Sequence, residues 1–188
     1  MKKIICAALL SGMLTVQAAA LPEMGALYAK SAALYAANGQ ELYVYNADEQ
    51  LQPASVTKIM TMLLAMEALE RGEVTLDTMI TGSEYACSRG GTQIWLEPGE
   101  QFTLDELIKA ICVCSANDAA VAVAEFVGGS EPVFAEMMNA RAAELGMTHT
   151  RFVNACGLDA AGPYSSARDV AAMSLALLRP PQILEYSG

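Results

Sequence analysis

Hydrophobic positions change rhythm along the chain, and the changes mark its elements. Residues 32–36 and 41–45 are short runs rich in aromatic and branched side chains, the composition of half-buried strands. Asn38-Gly39 lies between them and is a strong hairpin-turn signal. From residue 59 the pattern becomes a nearly unbroken apolar stretch, Ile59-Met60-Thr61-Met62-Leu63-Leu64-Ala65-Met66. It reads as a buried helix that stops at Gly72, after Glu70-Arg71. Met79-Ile80-Thr81 predicts a short strand, and Gly90-Gly91 and Pro98-Gly99 bracket a loop that carries Trp95. Thr103-Leu104-Asp105-Glu106 is a capping box, in which Thr103 caps and Glu106 reaches back. The helix it opens runs through Leu107, Ile108 and Ile111 towards Cys114. Ser115-Ala116-Asn117-Asp118 then interrupts the apolar pattern, which resumes over 121–127 and ends at Gly128-Gly129. Ser130 caps a further helix, with Pro132 in its first turn and Gly146 after its last. Ser166 with Asp169 opens the last helix, which stops before Pro180-Pro181. Beyond the hairpin the chain is mostly helical.

Composition narrows this picture. The 188 residues are 54% apolar, enough for one domain with a real core. A net charge of −10 disfavours a nucleic-acid phosphate backbone as partner. At the start, Lys2-Lys3 precede an apolar run over 4–10, and Ala18-Ala19-Ala20 follow. A basic start, an apolar middle and small residues are the order of a secretory signal, so residues 1–20 read as a signal peptide cut after Ala18 or Ala20. The rival reading is an uncleaved membrane anchor, because residues 4–21 carry no charge. Both readings export the remainder, with membrane association left open. Cys87, Cys112, Cys114 and Cys156 follow the signal; Cys112 and Cys114 point to different helix faces, and His149 is the only histidine. That spacing argues against a disulfide framework and against a metal site, and leaves the cysteines as small buried fillers.

The candidate chemistry starts at Pro53-Ala54-Ser55-Val56-Thr57-Lys58. Residues three apart on a helix share a face, so the Ser55 hydroxyl can meet the Lys58 amine. A serine is a weak nucleophile until a base takes its proton, and a buried lysine of lowered pKa can be that base. The apolar run that follows predicts a buried helix N-terminus, favourable to a developing oxyanion. Ser-x-x-Lys also arises between common residue types without any catalytic role. Ser115 and Asn117 likewise have two readings. One is a cap between two helices. The other places them on the opposite wall of the Ser55 site, with Ser115 relaying a proton and Asn117 holding Lys58 and a substrate amide. A Ser-His-Asp hydrolase is disfavoured, because there is no Gly-x-Ser-x-Gly and His149 sits beside no elbow. A class A β-lactamase is disfavoured by the lack of a Leu-Asn pair for its Glu-x-x-Leu-Asn segment.

Taken together, Ser55-x-x-Lys58 and Ser115-x-Asn117 resemble the serine penicillin-recognising enzymes. The resemblance extends through Asn46-Ala47-Asp48, Gly90-Gly91-x-Gln93-Ile94, Leu96-Glu97-Pro98-Gly99-Glu100, Asn154-Ala155-Cys156-Gly157-Leu158 and Ser166-Ala167-Arg168-Asp169. These segments are similar to the D-alanyl-D-alanine carboxypeptidases, the low-molecular-mass penicillin-binding proteins. That resemblance implies an α/β (α+β) penicillin-binding fold, with an antiparallel sheet flanked by helices beside a mostly helical half. It implies that Ser55 attacks the peptide bond between two terminal D-alanines of a peptidoglycan stem peptide. It implies that Lys58 accepts the proton, that Ser115 passes it to the leaving group, and that β-lactams acylate the same serine. No metal or organic cofactor is implied. The family's third motif, Lys-Thr-Gly, is not among these residues: the lysines after the signal are Lys30, Lys58 and Lys109, and none precedes Thr-Gly. Residues 21–188 are therefore expected to be the N-terminal part of the catalytic domain, cut before that motif. A catalytically incompetent fragment or a non-catalytic penicillin-recognising relative is the alternative.

Overall fold

The computed structural model describes residues 28–158 and 161–187. The expected signal peptide over residues 1–20 and its expected cleavage site lie outside them. Among the described residues no helix is long and apolar enough to cross a membrane.

The hairpin forms as the sequence predicts. Strands β1 (Ala32–Tyr35) and β2 (Glu41–Tyr45) pair antiparallel, with an irregularity between Leu34 and Tyr35. Gly39 adopts φ +84°, and Asn38 Oδ1 accepts the Gln40 N–H at 3.0 Å to close the turn. A second antiparallel pair joins β3 (Met79–Thr81) to β4 (Gln101–Thr103). The sequence reading found β3 and missed β4, because three residues leading into a capping box carry no alternation to detect. Each sheet therefore has two strands among the described residues.

The rest is helical. A 3₁₀ turn over Ala54–Thr57 leads into α1 (Lys58–Glu70), the hub of the core. Its apolar residues do not form a stripe, and the neighbours explain why: α3, α4, α5 and α6 all pack against it. Met60, Leu63, Ala65 and Met66 are fully enclosed. The helix closes at Arg71, and Gly72 follows at φ +71°. After the single turn α2 (Glu84–Cys87), the capping box opens α3 (Leu104–Cys114), with both reciprocal bonds of Thr103 and Glu106 in place. Helices α4 (Asn117–Gly128), α5 (Glu131–Glu144) and α6 (Ala167–Leu177) complete the bundle. Ser130 and Ser166 cap α5 and α6 through their hydroxyls. The sequence expectation that α6 ends the fold needs correction. A 3₁₀ turn at Pro181–Ile183 and α7 (Leu184–Ser187) follow, and Tyr186 donates to Asp105 on α3 at 2.7 Å.

The hairpin is docked on α6. Arg168 on α6 bonds Asp48 at 2.7 Å and the Tyr35 hydroxyl at 2.9 Å, and also pairs with Glu41. Leu51 and Ser165 exchange backbone bonds of 2.8 and 2.9 Å, which stitches the segment before the Ser55 turn to the start of α6.

The cysteine reading is corrected in part. Cys156 is buried at 1% exposure, Cys87 and Cys112 are half-buried, and Cys114 is exposed at the last position of α3. All four are free thiols. A thiol reagent added to the folded protein will modify Cys114 first and Cys156 only after unfolding, read by peptide mass mapping. Early labelling of Cys156 would contradict this packing.

Candidate active site

Three chain segments converge on one lysine. Lys58, the first residue of α1, is only 2% exposed. Its Nζ lies 3.1 Å from Ser55 Oγ, 3.2 Å from Ser115 Oγ and 3.2 Å from the Cys156 carbonyl oxygen. The sequence spacing predicted the meeting of Ser55 and Lys58, and the fold brings Ser115 to them from 57 residues away. Burial pushes the Lys58 pKa down from its ordinary 10.5, against an opposing influence of Cys156. No carboxylate lies within ion-pair distance of Nζ among the described residues. The three oxygens are chemically unequal. The Cys156 carbonyl can only accept, whereas each serine hydroxyl can donate or accept. A neutral amine can therefore give N–H bonds to Cys156 and Ser115 and accept the Ser55 proton.

Ser55 departs from the buried helix N-terminus expected of it. It is exposed and belongs to the 3₁₀ turn before α1, where the Val56 N–H bonds the Pro53 carbonyl at 3.0 Å. The buried partner is Lys58, so the hydroxyl faces solvent while its base does not. Ala54 in this turn has φ +46°, a strained value for a residue with a Cβ.

The third wall is the loop over residues 154–157. Buried Asn154 organises it: Oδ1 accepts the N–H groups of Cys156 at 3.3 Å and Gly157 at 2.6 Å, and Nδ2 donates to Leu158 at 2.7 Å. The loop thereby aims the Cys156 carbonyl at Lys58, while the Ala155 carbonyl accepts from Thr61 at 2.6 Å. Gly157 has φ +76°, and a Cβ there would stand 1.8 Å from the Ala54 carbonyl oxygen. In the sequence this segment carries only the family resemblance and no assigned role. The signal was available in an asparagine followed by glycine three residues later, the chemistry of a tight turn. What no spacing rule supplies is that the turn faces a lysine 98 residues earlier.

Ser115 and Asn117 divide their two readings between them. Ser115 does end α3, in the left-handed conformation at φ +57°, and its hydroxyl also bonds Lys58. Helix α4 is preceded by Ala116, whose side chain caps nothing. Asn117 is in the first turn of α4, is 4% exposed, and donates from Nδ2 to the Gly90 carbonyl at 2.7 Å. The expectation that it holds Lys58 is corrected: the lysine Nζ bonds Ser55, Ser115 and Cys156 instead, while the Asn117 side chain bonds Gly90. That bond leaves Oδ1 as a free acceptor, since the carbonyl of Gly90 can only accept and so fixes which atom is nitrogen. Gly91 is required here: at φ +78°, a Cβ would lie 2.6 Å from Asn117 Nδ2.

Asp118, also missed as a site-building residue, is 1% exposed and pins the same loop. Its carboxylate accepts the Ile94 N–H at 3.1 Å and the Leu96 N–H at 3.1 Å. Between these anchors Trp95 takes φ +62° and is 79% exposed. The backbone N–H of Asn117 adds a bond to the Thr92 carbonyl at 2.7 Å. Residues 90–96 are thus suspended from Asn117 and Asp118, directly after Ser115.

Among the described residues no group of three or more histidine, cysteine or acidic side chains could hold a metal ion. A cavity of about 600 Å³ lies between β1 and α6 and is lined by Leu34, Pro53, Val56 and Val170 but by neither Lys58 nor Ser115. The lysine geometry, not this cavity, locates the site.

The family model described as D-alanyl-D-alanine carboxypeptidase matches residues 15–188. D-alanyl-D-alanine carboxypeptidase DacF from Bacillus subtilis is 50% identical over 161 residues, covering 85% of this chain and 41% of its own length. DacC from Escherichia coli is 40% identical over 148 residues, covering 76% of this chain and 37% of its own length. The chain thus spans about two fifths of the length of these relatives. The crystal structure of D-alanyl-D-alanine carboxypeptidase DacD from Francisella tularensis superposes with a TM-score of 0.84 at 32% identity, covering 86% of this chain and 40% of that one. Penicillin-binding protein D2 from Listeria monocytogenes, solved in the ampicillin-bound form, superposes with a TM-score of 0.74 at 32% identity, covering 85% of this chain and 67% of that one. The fold is that of these penicillin-binding carboxypeptidases, helices with small antiparallel sheets.

Proposed function

Because the chain belongs to the D-alanyl-D-alanine carboxypeptidase family, we propose that its site performs serine-type acyl transfer on peptides ending in D-Ala-D-Ala. The observation that carries this is the position of one buried, unpaired lysine within 3.2 Å of two serine hydroxyls. Ser55 is the nucleophile and Lys58 the base that takes its proton. The Ser55 oxygen bonds the carbonyl carbon of the penultimate D-alanine. The proton travels from Lys58 through Ser115 to the nitrogen of the departing D-alanine, and water then hydrolyses the ester. Asn117 Oδ1 accepts an N–H of the substrate on the acyl side of the scissile bond. A β-lactam meets the same serine: its ring opens and the ring nitrogen takes the proton. The physiological substrate of this reading is the peptidoglycan stem peptide, which requires export. The basic and apolar order of residues 1–20 supports such export.

The test is release of D-alanine from an N-acetylated peptide ending in D-Ala-D-Ala, measured beside labelling by a fluorescent penicillin. One covalent penicillin label per molecule, and D-alanine release over repeated turnovers, are the expected results. Labelling without D-alanine release would instead identify a non-catalytic penicillin-recognising relative.

A further inference from the structure

Arg89 stands next to the loop suspended from Asn117, and among the described residues no carboxylate pairs with its guanidinium. It precedes Gly90, whose carbonyl accepts the Asn117 side chain. Its guanidinium stacks over the Tyr85 ring, 5.0 Å from the centroid. Its Nε is buried, and no acceptor bonds it. Two carboxylates close to Tyr85 could have paired with it, and both are committed elsewhere. Glu125 accepts from Ser83 at 2.5 Å. Glu131 accepts from the Tyr85 hydroxyl at 2.6 Å and from the Ala155 N–H at 2.9 Å. The ring under Arg89 is thereby tied, through Glu131, to the loop that aims the Cys156 carbonyl at Lys58.

A partly desolvated guanidinium whose Nε finds no acceptor and which pairs with no carboxylate is costly, and it is unexpected in a chain with 21 acidic and 11 basic residues. A fixed planar fork suits a carboxylate, which it can bind through two parallel N–H bonds. We propose that Arg89 binds a carboxylate of the peptide substrate, placed upstream of the two terminal D-alanines. This rests on the reading of Ser55 and Asn117 given above, in which Asn117 meets the acyl side of the substrate while its side chain bonds Gly90, the residue after Arg89. Arg89 is then a specificity-determining residue: it selects acidic over amidated peptides and takes no part in the proton transfers.

Trp95, the only tryptophan, lies on the same loop and is exposed, so its fluorescence reports binding directly. The titration uses Ser55→Ala protein, in which turnover cannot deplete the ligand. The probes are two N-acetylated peptides ending in D-Ala-D-Ala, one with glutamate upstream and one with glutamine in its place. The glutamate peptide is expected to bind about tenfold more tightly, with the advantage shrinking at high salt. Arg89→Met, which keeps the stem over Tyr85, is expected to bring the two peptides within about twofold, and Arg89→Lys to restore part of the preference. Equal affinities with Arg89 present, or a preference that survives Arg89→Met, would overturn the proposal. Should Arg89→Met fail to fold, the salt-dependent ratio in the Arg89 protein decides alone. Penicillin labelling of protein with Ser55 intact is a separate readout: its failure beside a preserved peptide preference would count against the Ser55 reading and not against Arg89.

Discussion

Lys58→Arg will lower the rate of acylation by penicillin by about 10²–10⁴, the usual worth of a positioned general base. Arginine keeps a cation at the site but cannot give up its proton near neutral pH. In the native protein Lys58 is buried among three oxygens and without a carboxylate, so its neutral form is favoured. The pH dependence follows from the same burial. Acylation will rise with pH as Lys58 loses its proton, with the midpoint below 10.5, and this rise will be absent from Lys58→Arg. Stability has the same direction. Between the lowered folded pKa and the unfolded value, the unfolded chain binds a proton that the folded chain does not. The contribution of Lys58 to stability therefore increases with pH across that window and is least favourable below it. Stopped-flow acylation from pH 5 to 10 measures the first effect. A rate within a few-fold of the parent in Lys58→Arg would assign the base to another group.

Gly157→Ala will both unfold the protein at lower temperature and disable the site. The added Cβ would fall 1.8 Å from the Ala54 carbonyl and 2.7 Å from Thr57 Oγ1, and φ +76° is itself unfavourable for alanine. The neighbour that must give way is backbone. A loss of about 3 kcal/mol is expected, equivalent to a fall in Tm of about 10 °C for a chain of this size. Relief of the clash would push the turn holding Ser55 away from Lys58, and misplacement of about 1 Å costs about 10² in rate. Thermal denaturation followed by circular dichroism, with penicillin labelling on the folded fraction, checks both effects. A Tm within 2 °C of the parent and an unchanged acylation rate would contradict the close packing of these two turns.

The local parts of this account were legible in the sequence. Asn38-Gly39, the Thr103–Glu106 capping box, and the caps Ser130 and Ser166 are short-range chemistry, and each is found where its residues predict. Ser55 and Lys58 are three residues apart, so their contact is a property of one turn. The misreadings share a cause, which is that tertiary partners decide them. Asn117 binds Gly90 rather than Lys58 because the loop over 90–96 folds back on the start of α4. Cys114 is exposed because α3 ends there in a left-handed turn at Ser115, a fact invisible in an apolar-looking run. Asp118 looks like an ordinary first-turn acid, yet its carboxylate is spent on Ile94 and Leu96. The Cys156 carbonyl belongs to the backbone, so no residue type could have announced it.

Mass spectrometry after exposure to benzylpenicillin tests the central claim most directly. The account predicts an increase equal to one intact penicillin, located by peptide mapping on Ser55 and missing from Ser55→Ala. An adduct on Ser115 or elsewhere, or one that persists in Ser55→Ala, would contradict it.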